Sequence, residues 1–277
     1  MMRLALTGCL LLLPISSPPS PSGGGFPLRL DPRDSFERAV QEFEQAQRIL
    51  AEQPDRARRL FLQAAQRFES LAASGIRNGR LEYDLGNCYL QAGDVGRAIL
   101  HYRRAQRLIP GDPMLKENLR LARQRRLTNI EPRRRSAVLH SVFFMHYDLS
   151  APTRMRLLLI FYFLFWAAVI VRLFLPRRVW TVLAVGCAAA AIGMGISLGV
   201  SRWSDRHRPD GVVTEMDVVV YKGPGIGYQR QFEQPLQPGV EFTRLGQRGA
   251  WWKIELPDGK QGWIEGRSAA LVPLEAG

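Results

Sequence analysis

Four histidines, at positions 101, 140, 146 and 207, and three cysteines, at 9, 88 and 187, are the side chains that could hold a metal, relay a proton or act as nucleophiles. His140, His146 and Asp148 lie close together, but their spacing matches no ligand pattern, and a wet interface satisfies histidines without a metal. The cysteines form no Cys-x-x-Cys pair, and each sits among apolar neighbours, as a small buried side chain does. Gly223-x-Gly225 resembles a nucleotide loop only in its two glycines, because no helix follows. No Ser/His/Asp set, carboxylate pair or metal cluster has a supporting context. The expectation is a chain that is not an enzyme and takes no cofactor.

Binding chemistry is better represented. Tyr221, Tyr228, Trp251 and Trp263 fall within about sixty residues of short alternating runs, where aromatic rings could line a groove. Trp251 and Trp252 are adjacent in a strand pattern, so they point to opposite faces; Trp251 is the one expected outside. The formal charge of +13 over 277 residues comes mainly from arginine, and a basic chain suits nucleic acid or an anionic membrane. Seven arginines (120, 123, 125, 126, 133, 134 and 135) face one Glu131 just ahead of a long apolar stretch. That placement favours anionic lipid and argues against nucleic acid.

The elements that would carry these residues follow from patterning. Met1-Met2-Arg3, an apolar run from Leu4 to Leu13 and a Ser/Pro exit read as a signal peptide over 1–20, with a flexible linker over 21–33. Leu6-Thr7-Gly8-Cys9 looks like an acylation box but comes too early. Residues 34–126 read as helices. Ser35 is the expected cap of the first, Gly75 and Gly79 break the second, and Asp112-Pro113 opens the fifth. Residues 127–153 are basic and then aromatic, too short to span a membrane and suited to its interface.

Two apolar stretches follow, 157–175 and 179–200, inside a hairpin predicted over 154–202. Arginines flank the turn (172, 177, 178) and both outer ends (154, 156, 202, 206, 208), so charge barely decides the orientation. A signal peptide would put both soluble parts outside the cytoplasm. Cys187, Ala191, Gly195 and Gly199, four apart, make a smooth strip for the first span or for a partner's helix. Residues 211–273 alternate in short runs, with strands expected at Val212–Thr214, Val218–Tyr221, Val240–Leu245, Trp251–Leu256 and Gln261–Ile264, closing into a small barrel.

Residues 79–112 resemble one tetratricopeptide repeat of 34 residues, carried by Leu85, Gly86, Tyr89, Gly93, Ala98, Tyr102, Ala105 and Pro110. Glu82 departs from the pattern, which wants a large aromatic there. Ala57, Phe61 and Ala64 repeat the second-helix pattern upstream in a degenerate copy. The resemblance implies packing through the eight matched residues and a concave face made by Arg80, Tyr83, Asn87, Leu90 and Gln91, with Asn87 available to a peptide backbone. The C-terminal stretch resembles bacterial SH3 domains through Gly223-Pro224, Pro238-Gly239, Trp252 with Ile254, Asp258-Gly259 and Gly262-Trp263-Ile264.

The fold class expected is thus a multidomain membrane protein: an all-α tetratricopeptide (α-solenoid) domain, two transmembrane helices and a small all-β SH3-like barrel. That order resembles the BatE-type proteins of bacterial aerotolerance operons. The resemblance implies an inner-membrane, two-pass scaffold whose partners are von Willebrand A-type membrane proteins and, indirectly, a MoxR-type ATPase. Peptidoglycan binding through the SH3-like part is the alternative reading.

Overall fold

A computed structural model describes residues 32–76, 78–128, 130 and 151–272. It is mostly helical, with a small antiparallel sheet and two long apolar helices. The chain divides into two compact units at Ile76 and Arg77.

The first unit is a helical hairpin, α1 (Pro32–Ile49) and α2 (Pro54–Ala73). Alanines 39, 46, 57, 64 and 65 are fully buried and let the helices approach, while Phe43 meets Phe61 edge-on at 5.2 Å and Phe36 meets Phe68 at 5.6 Å. Ser35 is not the cap: α1 already begins at Pro32, where a proline's missing N–H costs nothing, and Ser35 is buried within the helix.

In the second unit, α3 (Gly79–Gln91), α4 (Val95–Leu108) and α5 (Pro113–Gln124) form a helical layer. Asn78, Asp94 and Asp112 each accept a backbone N–H at a helix start, Asp112 from both Met114 and Leu115. Gly93, at φ 81°, makes the turn from α3 to α4. Gly86 faces Tyr102 so closely that a Cβ there would lie 2.4 Å from the ring. Leu85, Tyr89, Ala98, Tyr102 and Ala105 are buried along the same contact. Glu82 bonds His101 Nδ1 at 2.8 Å inside it, and His101 stacks on Tyr89. The position that departs from the tetratricopeptide pattern therefore has a matched partner nineteen residues on.

Helices α6 (Ala151–Phe174) and α7 (Arg178–His207) pair as a hairpin, each long and apolar enough to cross a membrane. Ala168, Ala184, Cys187 and Met194 are buried between them, and Gly195 meets Leu158 Cδ1 at 3.7 Å. Ala191 is half-buried, whereas Gly199 is exposed with open space beside it. At about 1.5 Å per residue α7 is roughly 45 Å long and outruns a bilayer core of roughly 30 Å.

Strands β1 (Asp210–Val213), β2 (Glu241–Arg248), β3 (Trp251–Glu255), β4 (Gln261–Glu265) and β5 (Ala269–Leu271) make an open antiparallel sheet in the order β4-β3-β2-β1-β5. Its core gathers Val213, Val218, Val220, Phe242, Ile254 and Ile264. The β3–β4 turn uses Gly259 at φ 84°. The expected strand at Val218–Tyr221 is absent as a ladder. Val218 and Val220 point inward, but the chain around them is broken by Gly223, Pro224, Gly225 and Pro235 and pairs only through isolated bridges. Tyr221 exchanges both backbone hydrogen bonds with Trp263 of β4, at 2.9 and 2.8 Å. A single reciprocal pair thus meets the β4 edge where a closed barrel would need a full ladder.

Candidate functional site

The helical face expected to be an open groove is largely filled. Tyr83, Asn87 and Leu90 are buried, and only Arg80 and Gln91 keep partial exposure. Asn118 of α5 donates from Nδ2 to the Tyr83 hydroxyl at 2.8 Å and to Asn87 Oδ1 at 3.0 Å; the Tyr102 hydroxyl donates to the same Asn87 oxygen at 2.8 Å. Asn87 Oδ1 is therefore engaged within the layer. Burial raises the Tyr83 and Tyr102 hydroxyls above the usual tyrosine range and keeps both neutral. Arg80 covers the Tyr83 ring at 5.1 Å and pairs with Asp112 at 3.8 Å. Asp84, on the same helix, is buried with Oδ1 unpartnered, and burial pushes its carboxyl up to about 7 against the pull of Arg80.

On the sheet, register sorts the aromatic residues. Trp252 pairs with Ile264 and packs partly into the core, its ring lying over Gly266 and under Arg244 at 5.2 Å. Trp251 is on the opposite face, shared with Lys253, Trp263 and Glu265. Tyr221 joins that face through its bridge to Trp263, and its ring meets Trp251 edge-on at 5.6 Å. Tyr221, Trp251 and Trp263 thus form one partly exposed outer patch. Tyr228 stands apart, lying across Gly223 at the tip of its loop and about half exposed. Gly262 faces the core instead, where Val220 fills the space a side chain would need.

A third constellation escapes sequence reading. Arg103, Arg123 and Arg126, from α4 and α5, converge on Glu241 of β2 at 3.2, 2.8 and 3.6 Å. Arg103 also donates to Asp210 Oδ2 at 2.9 Å. Asp210, Val212, Glu241 and Thr243 share one face of the sheet by register, so this face is turned to the helices. Gly96 closes on Pro238 and the Val213 carbonyl, and Gly239 on Ile99 and Arg126, each tight enough to exclude a Cβ. Burial alone would push Glu241 up. The Arg123 hydrogen bond and the charges of Arg103, Arg123 and Arg126 outweigh it and hold the carboxyl below the usual range. The cleft beside this joint is lined by Arg103, Arg123 and Arg126, whose guanidinium groups Glu241 already engages. It also changes the reading of the basic cluster. Arg123 and Arg126 are committed to Glu241, and Arg120 to Glu117. Arginines 133, 134 and 135 lie outside the described residues.

Nearby, Arg107 of α4 pairs with Asp205 in the last turn of α7. The helical layer and the sheet therefore meet the hairpin at the same end. Among the described residues no group of His, Cys, Asp and Glu could hold a metal ion; His140, His146, Asp148 and Cys9 lie outside them. No family model matches the chain, and no curated protein or solved structure matches it either.

Proposed function

We propose that this chain is a non-catalytic, membrane-anchored scaffold of the cell envelope. In this reading α6 and α7 cross the bacterial inner membrane as a pair. The helical layer acts as a tetratricopeptide-type module and the sheet as an SH3-like module, both on the extracytoplasmic side. The observation that carries it is the Arg103–Arg123–Arg126 grip on Glu241: it fixes a helical module and an aromatic-faced sheet to each other at one end of an apolar hairpin. Such an arrangement presents surfaces in a constant geometry, which is what a scaffold requires. The resemblance to BatE-type proteins extends the proposal to partners: von Willebrand A-type membrane proteins, and through them a MoxR-type ATPase, in an aerotolerance or stress complex. The basic segment ahead of the hairpin would rest on anionic lipid. Affinity capture of the full-length protein from native membranes should recover a von Willebrand A-type protein. Its absence, with the bait intact and in the membrane fraction, would overturn the partner assignment.

The outward patch of Tyr221, Trp251 and Trp263 favours a second reading, a sensor that binds peptidoglycan through the sheet. Full-length protein in detergent should then sediment with purified sacculi at low salt, and Trp251→Ala should stay in the supernatant. No sedimentation of the unaltered protein removes this reading.

A further inference from the structure

The arginines at the bundle-side end of the hairpin differ from those of α5. Arg156, Arg202, Arg206 and Arg208 are exposed and have no carboxylate partner among the described residues. From 151 to 208 the chain carries one acidic residue, Asp205, and Arg107 of α4 already holds it. The helix packed against this end thus adds positive charge. Depth can be read from Arg154, whose Nη1 donates to Ser197 Oγ at 2.8 Å, Ser201 Oγ at 3.0 Å and the Ser197 carbonyl at 3.3 Å. That fixes the start of α6 level with residues 197–201 of α7. At about 1.5 Å per residue, Arg156 lies roughly 3 Å deeper, and Arg202 and Arg206 roughly 5 and 10 Å further out. The band they define begins where the apolar stretch ends, at the depth of the headgroups. Trp203, exposed and stacked on His207 at 4.9 Å, stands in the same band, as aromatic side chains do at a membrane interface.

We infer that Arg156, Arg202 and Arg206, with Trp203 among them, form a headgroup belt that recruits anionic phospholipid to this end of the hairpin. The reasoning is one of charge. Among the described residues, these exposed guanidinium groups at headgroup depth have no carboxylate partner, and Asp205 beside them is taken by Arg107. A phospholipid phosphate carrying net negative charge supplies a counter-ion, and guanidinium binds phosphate in a fixed planar geometry. Zwitterionic lipid offers the same phosphate beside a choline that repels the belt. The inference rests on the proposed crossing of the bilayer.

The test is electron spin resonance of the full-length protein in vesicles of equimolar phosphatidylglycerol and phosphatidylcholine, with either lipid spin-labelled. The motionally restricted population should favour phosphatidylglycerol by roughly fivefold, the effect of about one well-placed arginine. Combined Arg156→Gln, Arg202→Gln and Arg206→Gln should bring the two lipids close to parity. The same three positions changed to lysine should retain most of the preference. No preference in the unaltered protein overturns the belt. So does a preference that survives the glutamine changes and disappears on Arg133→Gln, Arg134→Gln and Arg135→Gln. Loss of the protein to an alkaline wash, by contrast, would overturn the membrane crossing itself.

Discussion

Arg123 and Glu241, 118 residues apart, form a bidentate pair, with Arg123 Nε and Nη2 donating at 2.9 and 2.8 Å to the two carboxylate oxygens. Paired in this way, a carboxylate is a hub and each arginine a spoke. Glu241→Gln should therefore cost more than the loss of any single arginine, because it leaves Arg103, Arg123 and Arg126 facing one another. The expected destabilisation is about 3 kcal/mol for Glu241→Gln. Arg123→Gln should cost less, since two cations remain on the carboxylate. Thermal unfolding of the full-length protein in detergent, with the two changes separate and combined, measures both and their coupling.

The same carboxyl gives a pH dependence. Its folded value lies below its unfolded one, so the stability it adds is fully present above the unfolded value, near pH ~4.3, and is lost as pH falls through the folded value. The joint between α4, α5 and the sheet should loosen only in strong acid. Proteolysis between the sheet and the helices, followed from neutral pH downward, should show that loss in the unaltered protein, and Glu241→Gln should flatten it.

Asp84 should behave in the opposite sense. Burial raises its carboxyl to about 7, so the folded state favours the protonated form. The cost of ionising it grows from the unfolded value, near pH ~4, up to about 7 and is constant beyond. Asp84→Asn should give little at acid pH and a gain on the order of 2–4 kcal/mol at pH 8. Melting temperatures of both proteins across this range decide it; a constant difference would count against a buried neutral Asp84.

Gly86 and Gly111 separate packing from flexibility. A methyl group at Gly86 would meet the Tyr102 ring at 2.4 Å, whereas Gly111 has open space around it. Gly86→Ala should destabilise the helical layer by about 1–3 kcal/mol, through forced displacement of α4. Gly111→Ala should stay within about 0.5 kcal/mol of the unaltered protein. Chemical denaturation of the two single variants provides the comparison.

Trp251 and Trp252 make the corresponding pair on the sheet. Trp252 packs on the core and covers Gly266, so Trp252→Ala should cost about 3 kcal/mol or more. Trp251→Ala removes an outer ring beside Tyr221 and should cost less than about 1 kcal/mol, while weakening whatever ligand the patch takes. Thermal unfolding and binding, measured on both variants, should separate the two roles.

Local signals in the sequence proved readable where short-range physics decides. Asp112-Pro113 opens α5, Gly93 turns the chain, and the two apolar stretches become α6 and α7. What stayed hidden depends on contacts across long separations. Glu82 looks like a misfit until His101 is beside it. Asn87 looks available until Asn118 arrives from α5, 31 residues on. Arg123 and Arg126 look like headgroup ligands because nothing near them in sequence hints at Glu241, more than a hundred residues on. Val218–Tyr221 reads as a strand because its alternation is right, yet a ladder also needs a partner segment, and Pro235 and the glycines before it deny one. Within the outer patch, alternation alone separates Trp251 from Trp252, but the union of Tyr221 with Trp263 needed a bridge that composition does not announce.

Helix α7 ends at His207, β1 begins at Asp210, and only Arg208 and Pro209 intervene, with the Pro209 carbonyl already bound by the Arg244 N–H at 2.8 Å. There is no slack at that junction. A rod some 30 residues long, pinned near its outer end by the Arg107–Asp205 pair, is welded to the sheet it carries. If α7 crosses a bilayer as proposed, any tilt or roll imposed on the rod there would swing the aromatic patch through a corresponding angle. The junction then makes the helix a lever arm: within that proposal, a change in the tilt of α7 is a change of aim at Tyr221 and Trp251.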